Sequence, residues 1–107
     1  MIAYRIKRTA GKHPVPVIEF EEARYEVAAT FLLAEARSFG KEILAAMDDV
    51  ILGGEPSGTF SGNAFSLEIT PSLTTIVDDI MGKECVLPTK ELKGIAEAYC
   101  TACREEG

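Results

Sequence analysis

Residues 64–69 place the tightest constraint on what this chain can fold into. Phe65, Leu67 and Ile69 alternate with Ser66, Glu68 and Thr70, the period of two that belongs to a strand with one buried and one wet face. Pro71-Ser72 then makes a tight connection to the β-branched run Leu73-Thr74-Thr75-Ile76-Val77, predicted to return antiparallel. A short last strand is expected at Glu84-Cys85-Val86-Leu87.

Elsewhere the period changes to that of a helix. Phe39, Ile43, Leu44, Met47, Val50 and Ile51 fall on one helical face opposite Lys41, Glu42, Asp48 and Asp49, and Gly53-Gly54 ends the run. Pro88-Thr89-Lys90-Glu91 opens a final helix, with Thr89 as the expected cap and Leu92, Ile95, Ala96, Tyr99 and Cys103 as its buried face. At the N-terminal end, Ile2, Tyr4 and Ile6 alternate as a strand would. Gly11-Lys12-His13-Pro14 reads as a turn, and 15–20 as a second extended segment that Pro16 pushes toward a sheet edge. Residues 21–36 carry both signals; alanine and glutamate favour helix, while Tyr25, Val27, Ala29, Phe31 and Leu33 also alternate. Helix is the reading adopted. The turn-rich stretch 55–63 is expected to be a mobile loop. With 107 residues the chain forms one domain, 1–107, of the α+β class: a small antiparallel β-sheet with two amphipathic helices packed on one face.

Charge is distributed unevenly. The total is −6, yet residues 1–18 hold Arg5, Lys7, Arg8 and Lys12 and no acid, so +4 there leaves −10 on the rest. Such a balance speaks against nucleic acid as the main partner, because affinity for phosphate backbones comes chiefly from Lys and Arg. The basic start is read as a solvated strand whose charges blunt a sheet edge. Charges interrupt the apolar residues of 1–8 before a secretory core can form, and no apolar run approaches the length needed to cross a bilayer. A cytoplasmic protein with no membrane contact is the expectation, and the odd number of cysteines, Cys85, Cys100 and Cys103, suits free thiols.

Catalytic signatures are missing from the sequence: no G-x-S-x-G, Walker A, H-E-x-x-H or G-x-G-x-x-G occurs, and His13 is the single histidine. The chain is accordingly read as a non-enzyme without cofactor or metal. Cys100-Thr101-Ala102-Cys103 has the C-x-x-C spacing but falls in the last turns of a helix, where no dipole favours a thiolate. A thiol- or metal-dependent enzyme or sensor built on Cys85, Cys100 and Cys103 is the alternative, and a homodimeric structural domain a third. The carboxylate pairs Asp48-Asp49 and Asp78-Asp79, with Glu55, are expected to form an acidic patch facing a basic partner. Phe60, in a glycine- and serine-rich stretch, is expected to be an exposed anchor for that partner.

Ala36-Arg37-Ser38-Phe39-Gly40 through Asp48-Asp49-Val50, then Ser61-Gly62-Asn63 with Ser66-Leu67-Glu68-Ile69, then 84–92, resembles small bacterial proteins similar to the immunity proteins of polymorphic or contact-dependent toxins. The resemblance covers about the last two-thirds of the chain, and its motifs are structural, so no functional residue is carried over. It implies a cytosolic protein that binds and blocks a cognate toxin, and toxins with nuclease activity often present basic clefts suited to an acidic inhibitor.

Overall fold

The computed structural model describes residues 1–105 and has an α+β architecture whose strands divide between two antiparallel sheets. Strands β1 (Tyr4–Arg8) and β2 (Pro16–Phe20) form a hairpin. Strands β3 (Gly58–Ser61), β4 (Phe65–Ile69), β5 (Leu73–Asp78) and β6 (Glu84–Pro88) form a four-stranded meander in chain order. The alternation of 65–69 is observed as expected: Phe65, Leu67 and Ile69 are buried, and β5 and β6 add Thr74, Ile76, Cys85 and Leu87 to the same inner face. That face lies under the helices. The outer face carries Thr59, Ser66, Glu68, Thr75 and Val86 and is exposed or half-buried.

Residues 21–36 are helical. A 3₁₀ turn, Ala23–Tyr25, leads into α1 (Glu26–Phe31), which continues through a π-helical turn, Leu32–Ala36, into α2 (Arg37–Ile51). A kink at Phe39, with non-helical φ and ψ, bends the start of α2. Gly54 follows with φ +75°, the left-handed conformation expected after a helix end. α3 (Thr89–Arg104) begins directly after β6 and packs along α2, where Gly40 meets the Cys100 sulfur with no room for a side chain. Its Tyr99, fully buried, donates a 2.7 Å hydrogen bond to the Pro16 carbonyl and ties the hairpin to the body.

Two local expectations are corrected. Residues 55–63 are not a loop throughout, because 58–61 pair with β4 as the outer strand of the meander. Thr89 does not cap α3; Pro88 occupies the cap position and no side chain caps it. The Thr89 hydroxyl instead donates to the Thr70 carbonyl at 2.6 Å and contacts the Thr74 hydroxyl at 2.8 Å, Thr74 and Thr89 being fully buried. A helix that starts the instant a strand ends leaves its first hydroxyl beside the neighbouring strand, where it satisfies sheet atoms.

Candidate functional site: an acidic groove beside β2

The expected acidic residues do not converge. Asp48 is half-buried and pairs with Lys93 at 2.5 Å, bridging α2 to α3 and raising the affinity of that ammonium for its proton. Asp49 and Glu55 are exposed, and the Asp49 carbonyl accepts a hydrogen bond from the Glu55 N–H. These three sit at the end of the sheet where Gly58 meets Val50 and pairs with Ile69. Asp78 and Asp79 lie at the other end, beside Phe65, about 13 Å away along β4 at the usual rise per residue. There they hold the β5–β6 connection: Asp78 Oδ1 accepts from the N–H groups of Ile80 and Met81 at 3.0 and 2.9 Å, and Asp79 Oδ1 accepts from the Ser66 hydroxyl at 2.7 Å. Phe60 is a correction as well. It is buried, edge-on to Phe31 and Phe39 at centroid distances of 6.4 and 5.9 Å, because β3 turns it toward the helices.

Glu35 is a charged side chain that sequence reasoning left unremarked. It projects from the π turn, is fully buried, and accepts backbone hydrogen bonds from Asn63, Ala64 and Phe65 at 3.1, 3.1 and 3.0 Å. The Asn63-Ala64-Phe65 segment is therefore a run of N–H groups closed around a carboxylate, and the Gly62 N–H turns instead to the Phe65 carbonyl. Gly62 is obligatory there, since a Cβ would stand 2.0 Å from the Glu35 carboxylate. This centre is internally complete and serves the fold.

Acidic groups do gather elsewhere. A groove of about 500 Å³ runs between β2 and α1, with Ala29 and Leu33 on its helical side and Glu19, Glu21, Glu22 and Glu26 around it. Two of these carboxylates are matched: Glu19 by Arg5 and Lys7 at 3.0 and 2.9 Å, and Glu22 by Arg24 at 2.7 Å. The Lys7 and Arg5 hydrogen bonds hold the Glu19 carboxyl below its ordinary range, and Glu22 pushes the Arg24 guanidinium up. Glu21 and Glu26 are exposed and make no ion pair among the described residues. Leu33, 43% exposed, adds an apolar contact at the groove wall. Four carboxylates in eight residues of sequence were a visible signal, but their facing could not be assigned while 21–36 stood between helix and strand.

No protein-family model, curated protein or solved structure matches the chain. The groove is therefore judged by its chemistry: one apolar wall and surplus negative charge suit a cationic, partly apolar protein segment. The thiols offer less. Cys85 and Cys100 are buried, which pushes both up and away from the reactive thiolate. Among the described residues, no three His, Cys, Asp or Glu side chains are grouped to hold a metal ion, and no helix is long and apolar enough to cross a membrane.

Proposed function

We propose that this protein is a non-enzymatic binding module that covers the functional surface of a basic protein partner, in the manner of an immunity protein neutralising its toxin. The observation that carries the reading is the groove between β2 and α1, where Glu21 and Glu26 leave negative charge uncompensated beside Leu33. The resemblance of residues 36–92 to immunity proteins supports it, as does the −10 borne by residues 19–107. A rigid acidic surface steers a basic partner into encounter and disfavours acidic competitors.

The test is co-expression with each toxin encoded beside the gene, followed by co-purification. Protection of the cell and a stable complex with one of them are expected. Failure to protect against, or bind, any such toxin removes the immunity reading.

A further inference from the structure

The outer edge of β2 borders the groove, with Ile18 buried and Phe20 half-buried. Backbone hydrogen bonds join Glu21 to Ala3 and Thr9 to Val15, and in an antiparallel ladder bonded pairs alternate with non-bonded ones. Followed along the register, Val17 and Glu19 turn their N–H and C=O groups toward β1, whereas Ile18 and Phe20 turn theirs, and Pro16 its carbonyl, away from it. The Pro16 carbonyl is taken by Tyr99. The backbone groups of Ile18 and Phe20 form no hydrogen bond to another described residue. Both residues line the groove.

We propose that this edge accepts an extended strand from a protein partner that carries both basic and apolar side chains. Backbone pairing would satisfy Ile18 and Phe20, and the row of side chains facing the helix would run along the single stripe of Glu26, Ala29 and Leu33, with Glu21 beside the end of the strand. A helix laid in the groove would leave those backbone groups dry and unpaired. A second copy of this chain is disfavoured on charge, because pairing β2 with β2 would bring a second unpaired Glu21 to a groove that already holds Glu21 and Glu26 and would supply no free cation to them. The proposal rests on the binding-module reading, whose partner supplies the strand.

The probe is a synthetic peptide of alternating lysine and valine, with hydrogen exchange of the Ile18 and Phe20 amides followed by NMR. Saturating peptide is expected to slow both amides by about tenfold or more. Methylating one alternate set of peptide nitrogens should abolish that protection while methylating the other set leaves it, because a strand pairs through one edge only. Glu21→Lys combined with Glu26→Lys, both exposed, should weaken binding about tenfold without altering the spectrum of the hairpin. Binding that leaves the two amides unprotected, or that responds equally to both methylations, overturns strand addition. So does a β2-to-β2 dimer in sedimentation. A toxin complex in which Ile18 and Phe20 exchange as in the free protein would sink the strand proposal and leave the immunity reading intact. Peptide protection with no toxin bound would do the reverse.

Discussion

At the scale of single residues, the molecule depends on Glu35. A carboxylate taken out of water is tolerated only when its lone pairs are met, and here the backbone donors of Asn63, Ala64 and Phe65 meet them. Glu35→Ala would strand those donors and should cost about 3 kcal/mol or more in urea denaturation. Gly62→Ala should also destabilise, by forcing a methyl group against the same carboxylate. The two changes should not add. With the carboxylate gone the methyl has space, so the cost of Gly62→Ala should shrink in the Glu35→Ala background; full additivity would contradict the contact. Thr89 is a second case. As a bridge to Thr70 and Thr74, it should tolerate Ser and lose about 1–2 kcal/mol on change to Ala. Thr89→Asp, a good helix cap, should be worse than Ser, whereas a true cap position would accept it.

At the scale of elements, legibility followed from whether an element's own side chains reveal its surroundings. Phe65, Leu67 and Ile69 alternate because β4 is central and one-sided, and α2 and α3 show their faces at Met47 and Leu92 for the same reason. β3 was illegible because Gly58-Thr59-Phe60-Ser61 has one inward side chain, and its identity as a strand comes from pairing with β4. The Glu35 nest left no local trace, since a charged residue reads as outward and its partners are backbone groups 28–30 residues away. The six residues expected to bind a partner stand out by adjacent carboxylates and by an aromatic among turn residues, local features that do not show which end of a sheet a residue occupies. The β1–β2 hairpin, legible from Ile6 and Pro16, carries its own pH dependence. Glu19 is held below its ordinary value of 4.5 by Lys7 and Arg5. Its contribution is present above about pH 4.5 and lost as pH falls through the lower folded-state value. Amide protection factors in β1 and β2, taken relative to the intrinsic exchange rate at each pH, should therefore fall in that acidic window ahead of those in β4 and β5. Glu19→Gln should remove the pH step.

At the scale of the whole molecule, charge has a geometry that a total cannot express. The net −6 conceals a basic hairpin strand whose Arg5 and Lys7 share the one carboxylate of Glu19, so that trio keeps +1 against the −2 of Glu21 and Glu26. Asp48 is cancelled by Lys93, and Asp78 and Asp79 are engaged in holding a turn. The surplus that a distant partner would feel at the groove thus comes from few groups, and its effect should be electrostatic steering more than tight pairing. With a basic toxin as ligand, the association rate should fall as salt rises through about 0.15 M, where the screening length is roughly 8 Å, while dissociation changes little. Glu21→Lys with Glu26→Lys should flatten that salt dependence and lower the rate at low salt by about tenfold or more. Asp78→Asn with Asp79→Asn, at the opposite end of the sheet from Asp48, should leave the rate near that of the native protein. Stopped-flow measurement of all three proteins separates the two surfaces; the Lys pair adds +4 and the Asn pair +2, so a loss in the Asn variant about half as large, in the logarithm of the rate, as that in the Lys variant would mean that the total charge, and not the groove, directs the encounter.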